Sequence, residues 1–192
     1  MLKKAILVTG GAGYIGTHLV RELLNNFPTN KIIVIDNLST GQKINLPNNK
    51  DNLIFFKSCI SNKIILRKIF KNYKIKDVFH LASSINASES NKNSNLYCEN
   101  NLYNAISFLN FIKDFKIDNL IFSSSAAVYG NIKNKKLVSE KFDKHPINIY
   151  GSNKKILEEF IIDHSNIFKY RYAILRYFNV VGSSDFYSRE NK

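Results

Sequence analysis

The chain has 192 residues, 44% hydrophobic and 22% charged, enough for one globular domain with a sizeable core and too apolar for a disordered chain. Its two cysteines, Cys59 and Cys98, exclude a disulfide framework, and no apolar run reaches the length of a membrane span. The net charge of +13 comes almost wholly from lysine, with arginine only at 21, 67, 171, 176 and 189 and a densest cluster, Lys133-Asn134-Lys135-Lys136, that is short, so a solvated surface is expected and nucleic acid is not. His18, His80, His145 and His164 are scattered without metal-ligand spacing, and no metal is expected. Met1-Leu2-Lys3-Lys4 runs straight into an apolar stretch and leaves no room for a signal peptide, so a cytoplasmic location is expected.

Ala5-Ile6-Leu7-Val8 reads as a buried strand. Thr9-Gly10-Gly11-Ala12-Gly13-Tyr14-Ile15-Gly16 follows, and Thr17 to Leu24 has helical periodicity. Gly10, Gly13 and Gly16 therefore sit on a strand-to-helix turn. Such a turn lets the backbone bend sharply and approach a pyrophosphate, to which the helix N-terminus offers N–H groups and partial positive charge. Lys31 to Asp36 is a second buried strand, and its terminal Asp36 lies twenty residues after Gly16. That is the place for a carboxylate that accepts hydrogen bonds from an adenosine ribose. A carboxylate there repels a 2′-phosphate, and Asn37-Leu38-Ser39-Thr40 supply no arginine to balance one, so NAD is expected rather than NADP.

Gln42 to Asn52 is a polar loop, and Leu53-Ile54-Phe55-Phe56 is the third strand. A helix near 62–73 leads to a strand at Asp77-Val78-Phe79-His80-Leu81. The next helix, 96–116, carries Leu102, Ile106, Leu109, Ile112 and Phe115 at steps of three or four, which predicts one buried stripe. Asn119 to Ser123 is the fifth strand, Asn131 to Asn148 a surface loop, 150–165 a helix, and Tyr172 to Arg176 the sixth strand. Six strands alternating with helices predict α/β architecture: a doubly wound, Rossmann-like parallel sheet with helices on both faces. One domain over 1–182 is expected, with 183–192 a polar tail. Ligands bind at the carboxyl ends of such strands, which directs attention to Gly10–Gly16, Asp36–Gly41, Ser58–Ser61, Ala82–Ile85, Ser123–Ser125 and Tyr177–Asn179.

Two features carry chemistry. Ser123-Ser124-Ser125 ends the fifth strand, and Tyr150 and Lys154 share one helix face at a spacing of four. A free tyrosine, with a pKa of about 10, is a poor base at neutral pH. A nearby ammonium and a positive nicotinamide favour the phenolate and are expected to lower that pKa. Lys154 can also donate to the ribose hydroxyls of the nicotinamide half. Ser125 would hydrogen-bond the substrate oxygen that Tyr150 deprotonates.

These motifs, together with Ala126-Ala127-Val128-Tyr129-Gly130 and Leu175-Arg176-Tyr177-Phe178-Asn179, resemble the extended short-chain dehydrogenase/reductase family, most closely its NAD-dependent nucleotide-sugar 4-epimerases of the UDP-glucose type. The likeness runs in order from residue 5 to about residue 182. It implies epimerisation at C4 of a UDP-hexose, of the UDP-glucose/UDP-galactose kind, through a transient 4-keto sugar. Ser125, Tyr150 and Lys154 would be catalytic. Tyr14, Ile15, Asn37, Ser39, Thr40, Ile60, Leu81, Ala82, Asn100 and Phe178 would line the NAD site, and Asn179 would touch the nucleotide-sugar. Sugar-nucleotide dehydratases carry an acid where this chain has Ala126 and Ala127, which argues against dehydration. The resemblance also implies a homodimer, with the helices near 96–116 and 150–165 as candidates.

Several positions depart from the family pattern: Cys59 stands for an aspartate that contacts adenine, Ser83 for a glycine and Ile85 for a lysine near the cofactor, and the usual Gly-Lys-Ser-Lys after the tyrosine reads Gly151-Ser152-Asn153-Lys154, which keeps the lysine. Losing a charge-assisted contact costs about 1.5–3 kcal/mol, so weaker cofactor binding is expected. Members of the family continue into a C-terminal lobe that binds the nucleotide-sugar, and most of it is missing here. The alternative to an epimerase is therefore a truncated, non-catalytic NAD-binding remnant.

Overall fold

In a computed structural model the described residues are 2–48, 51–132 and 137–182. The cluster 133–136, part of each predicted loop and the tail 183–192 lie outside them. The chain divides into two compact units, 1–82 with 179–192, and 83–178.

The first unit is built on β1 (Lys3–Thr9), β2 (Lys31–Asp36), β3 (Leu53–Lys57) and β4 (Tyr73–His80). Their order is β3-β2-β1-β4, and every pairing is parallel. β1 and β2 are central, and both read as nearly continuous buried apolar runs, as strands covered on both faces do. Helix α1 (Tyr14–Asn26) packs Val20, Leu23 and Leu24 against Ile6, Val8, Ile32 and Val34. Helix α2 (Lys63–Asn72) is capped by Asn62, whose side chain accepts from the Ile64 and Ile65 amides. β4 starts four residues before the predicted Asp77, because it follows α2 without a loop. Its polar start, Tyr73 to Lys76, pairs with β1 across an irregularity between Ala5 and Ile6 and hides the strand from an apolar-run criterion.

The second unit holds β5 (Asn119–Ser125) and β6 (Arg171–Tyr177), paired in parallel from Asn119↔Arg171 to Ser125↔Tyr177. The predicted helix 96–116 is not one helix. It is α4 (Ser94–Tyr97), a π-helical turn (Cys98–Tyr103) and α5 (Asn104–Ile112), preceded by α3 (Ala87–Lys92), which periodicity did not reveal. The extra residue per turn rotates the buried line. Asn101, Ala105, Phe108, Leu109 and Ile112 are buried, whereas Leu102, Ile106 and Phe115 are only half-buried. Helix α6 (Ile149–Phe168) begins at Asn148, whose side chain accepts from the Gly151 amide, and ends at Lys169 in the left-handed conformation. Leu157 and Ile161 of α6 are buried, as are Leu120 and Phe122 of β5.

Candidate active site

In the first unit the glycine turn joins β1 to α1. Gly10 has φ of +70°, and a Cβ there would lie 2.6 Å from the Ala82 amide nitrogen, so bend and close approach coincide at that position. A Cβ at Gly16 would collide with the Gly10 carbonyl and the Gly11 backbone. Gly13 differs: a Cβ there would meet only the Gly10 carbonyl, at 3.4 Å. No side chain caps α1 and no acid lies in its first turn, so the helix dipole and the N-terminal amides stand available to an anion. Tyr14, exposed on that turn, donates its hydroxyl to the Gly182 carbonyl, and Ile15 is half-buried.

Asp36, 7% exposed at the tip of β2, accepts from the Ala12 amide at Oδ2 (2.9 Å) and from the Leu38 amide at Oδ1 (2.8 Å). One donor on each oxygen leaves acceptor capacity for ribose hydroxyls. The carboxylate is thus also the tie between the glycine turn and β2, a role the spacing rule does not contain. Beyond it Asn37 folds an Asx turn onto the Ser39 amide, and Asn37, Ser39 and Thr40 are exposed. Gly41, the last residue of the Asp36–Gly41 segment, packs against the Ala12 backbone, where a Cβ would fall 2.7 Å from the carbonyl carbon. After β3, the Cys59 thiol pairs with the Ser61 hydroxyl at 3.2 Å and Ile60 is buried. Leu81 and Ala82 are half-buried beside β1: the Leu81 amide donates to the Thr9 carbonyl (3.0 Å), while Thr9 Oγ1 meets His80 Nδ1 at 2.7 Å. That buried Thr9–His80 pair fixes the ends of β1 and β4 beneath the turn, and no motif announced it. Asn179 is exposed.

In the second unit three consecutive serines of β5 meet three residues of α6 that stand a turn apart. Lys154 Nζ donates to the Ser123 carbonyl at 2.6 Å, Ser124 Oγ donates to Glu158 Oε1 at 2.5 Å, and Ser125 hydrogen-bonds Tyr150. Ser125 Oγ also accepts from the Ala127 amide, capping the short turn 126–129. Tyr150 is 8% exposed and held at the start of α6 by its neighbours. Its amide donates to Ser90 Oγ (3.2 Å), and the Ile149 amide donates to Asn91 Oδ1 (3.1 Å). α3, absent from the sequence reading, is therefore what seats the phenol.

Burial sets the protonation of the pair. It pushes the Tyr150 phenol above the usual tyrosine range, with the Ser125 hydrogen bond pulling the other way. This reverses the expected lowering, because desolvation of the phenolate dominates in this structure. Burial likewise brings the Lys154 amine, 2% exposed, down to about 7, with the Glu158 charge opposing it. Lys154 Nζ lies 4.9 Å from the Phe122 ring centroid and 5.7 Å from that of Tyr150.

Glu158 was not singled out by sequence, though it continues the four-residue step of Tyr150 and Lys154. Arg176 grips it bidentately, Nε to Oε1 at 2.9 Å and Nη2 to Oε2 at 2.8 Å, and Lys144 Nζ reaches Oε2 at 3.2 Å. Burial alone would raise this carboxyl, but the Arg176 and Ser124 hydrogen bonds outweigh it and hold the group below its ordinary range. Arg176 also donates to the Tyr129 hydroxyl at 2.8 Å.

Other expected cofactor residues of this unit are Ser83, whose hydroxyl donates to the Ser84 carbonyl, and Asn100, which reaches Ser84 Oγ at 3.5 Å. The neighbouring Asn101, also missed, clamps the Ser84 backbone on both sides, accepting from its amide (2.7 Å) and donating to its carbonyl (2.8 Å). Phe178 is 63% exposed. Among the described residues no group of three His, Cys, Asp or Glu could hold a metal ion.

The chain is similar to known proteins over most of its length. The UDP-glucose 4-epimerase of Lactobacillus helveticus is 38% identical over 180 residues, which are 93% of this chain and 52% of the relative. A UDP-N-acetylglucosamine 4-epimerase from Methanobrevibacter ruminantium M1, solved in complex with UDP-N-acetylmuramic acid, superposes with a TM-score of 0.84 at 36% identity, covering 95% of this chain and 57% of that one. The UDP-glucose 4-epimerase from Brucella ovis, in complex with NAD, gives 0.86 at 32% identity, with 94% and 54% covered. The chain spans about half the length of these relatives. The likeness shows the doubly wound, Rossmann-like α/β fold of six parallel strands. With residues 6–192 matching its family model, the chain belongs to the NAD dependent epimerase/dehydratase family.

Proposed function

We propose that the chain binds NAD and performs, as all or part of an isomerase, NAD-dependent epimerisation at C4 of a UDP-hexose. The observation that carries this reading is the row Ser125–Tyr150–Lys154, a phenol and an amine on one helix face, each tied to the end of β5. The residues of the first unit fit the cofactor: Gly13 leaves room above an uncapped helix N-terminus for a pyrophosphate, and Asp36 retains acceptor capacity for a ribose. Gly10, Gly13, Tyr14, Ile15, Gly16, Asp36, Asn37, Ser39, Thr40, Cys59, Ile60, Leu81 and Ala82 are the proposed contacts there. Ser83, Asn100, Ser125, Tyr150, Lys154 and Phe178 are those of the second unit. The domain assignment, 1–182 as the cofactor-binding domain, is proposed on the same footing.

Bound NAD supplies reversible hydride acceptance at the sugar C4. The chain's own groups manage the proton. Tyr150 takes it from the 4-hydroxyl and returns it, Ser125 holds the same oxygen, and the Lys154 ammonium stabilises the phenolate and donates to the nicotinamide ribose. Asn179 is the proposed contact to the nucleotide-sugar.

A coupled assay for interconversion of UDP-glucose and UDP-galactose, run beside calorimetric titration with NAD, tests the proposal. Binding with turnover is the expected result. Binding without turnover establishes instead a non-catalytic NAD-binding chain, a reading favoured by Cys59 and Ser83, whose polar atoms are turned to Ser61 and Ser84. Absence of binding removes both.

The homodimer is proposed from the resemblance, and sedimentation equilibrium tests it. Among the described residues no helix is long and apolar enough to cross a membrane. Two free, half-buried cysteines suit the proposed cytoplasmic setting.

A further inference from the structure

Glu158 is fully buried, yet it takes no part in the chemistry assigned above. Its three partners come from three places: Ser124 on β5, Arg176 on β6 and Lys144 in the segment before α6. A buried ion pair is a poor means of docking a helix, since well-packed apolar side chains of similar volume do as well or better. The arrangement makes sense if its charge and its rigidity are used. The carboxylate stands one turn beyond Lys154 on the same face, and the two are tied to adjacent residues of β5, Ser124 and Ser123.

We propose that Glu158 is a positioning residue for the Tyr150–Lys154 pair: clamped by Arg176, Ser124 and Lys144, it fixes that face of α6 against the end of β5 and sets a negative charge one turn from the lysine. The inference rests on the reading of Tyr150 and Lys154 as the proton-handling pair. The charged and titratable groups around the network are Arg176 from β6, Lys144 from the segment before α6, Tyr129 from the turn after β5, and Tyr150, Lys154 and Glu159 from α6, the last paired with Lys144 at 3.7 Å. Of these Arg176 and Lys144 offset the field of Glu158 at the lysine, so removing the carboxylate and removing its guanidinium act on Lys154 with opposite signs. Burial draws the Lys154 amine to about 7 against the opposing Glu158 charge, so removing that charge lets the amine fall further.

The test is to follow the ¹³Cε resonance of Lys154 against pH in the full chain, the resonance being assigned by its loss in Lys154→Arg. Glu158→Gln, which keeps a hydrogen-bonding side chain and removes the charge, is expected to lower the midpoint by about one pH unit or more. Arg176→Gln, which uncovers the carboxylate, is expected to raise it, and Arg176→Lys to bring it back toward the wild-type value. Midpoints that do not move, or that move in the same direction in Glu158→Gln and Arg176→Gln, overturn the proposal, since a purely structural role would give that pattern. Should Glu158→Gln not fold, the contrast between Arg176→Gln and Arg176→Lys decides alone. An NAD titration of the wild-type chain separates the two readings: opposite-sign shifts without NAD binding sink the cofactor assignment and leave the coupling of Glu158 to Lys154 standing.

Discussion

Ser124 and Glu158 are bonded side chain to side chain across 2.5 Å, one at the end of a strand and the other in the third turn of a helix, and both are sealed from water. A hydroxyl that donates to a buried carboxylate is worth more than an ordinary hydrogen bond, because its removal strands part of a charge. Ser124→Ala should cost about 1.5–3 kcal/mol of folding stability, read from urea denaturation, a larger loss than Ser123→Ala, whose contact to Lys154 runs through the main chain.

The glycine turn separates folding from binding. Gly16→Ala forces a methyl into the Gly10 carbonyl and the Gly11 backbone and should destabilise the chain by about 1–3 kcal/mol. Gly13→Ala places its methyl at 3.4 Å from one oxygen, an ordinary contact. It should leave the melting temperature nearly unchanged and weaken NAD binding by about tenfold or more, roughly 1.4 kcal/mol. Calorimetry and thermal denaturation on the two variants check the contrast; equal losses of stability would contradict it.

Tyr150→Phe removes the proposed base while keeping the ring in its pocket. Turnover of a UDP-hexose should fall by about 10³-fold or more, while the NAD dissociation constant changes by less than about threefold. Retained turnover would displace Tyr150 from its role.

Lys154 links site and stability. Its amine titrates near 7 in the folded chain and at 10.5 when unconstrained, so between those values the unfolded chain binds more protons. Stability should therefore rise as pH increases from 7 toward 10. Lys154→Met should flatten that rise and be neutral or stabilising at pH 7, while losing turnover. Urea midpoints measured across this range, for both proteins, decide it.

His164 gives the acid counterpart. It is buried among Phe160, Phe168 and Tyr170, with Nδ1 2.9 Å from the Tyr170 hydroxyl. Burial, helped by the Lys113 charge, holds its imidazole below the ordinary 6.5. The unfolded chain thus takes up a proton that the folded one refuses. The contribution of His164 is complete above pH 6.5 and is lost as pH falls below it. His164→Asn should reduce this acid slope and cost about 1 kcal/mol at pH 8, from the bond to Tyr170. An unchanged slope would exclude His164 as its source.

The sequence disclosed the parts whose rules are local. Gly10 to Gly16 and Asp36 were placed by spacing and the six strands by short apolar runs, those of β1 and β2 being longest because a central parallel strand is buried on both faces. What escaped depends on tertiary partners. The polar start of β4 at Tyr73 exists because β1 is there to pair with it. The π-helical turn at Cys98–Tyr103 has no composition signal, yet it sets Asn101 against the Ser84 backbone. α3 is six residues of polar character and contributes through Ser90 and Asn91 to a helix that begins sixty residues later. The direction of the Tyr150 shift was misjudged because sequence shows which charges are near and not how dry they are.

The acceptor for Lys154 is the peptide oxygen of residue 123, and every amino acid carries one. Mutation at that position can alter bulk or polarity but cannot erase the oxygen itself. The tether is heritable at its amine end alone, so a lineage could vary the first serine of the triplet freely while any loss of the lysine would be felt at once.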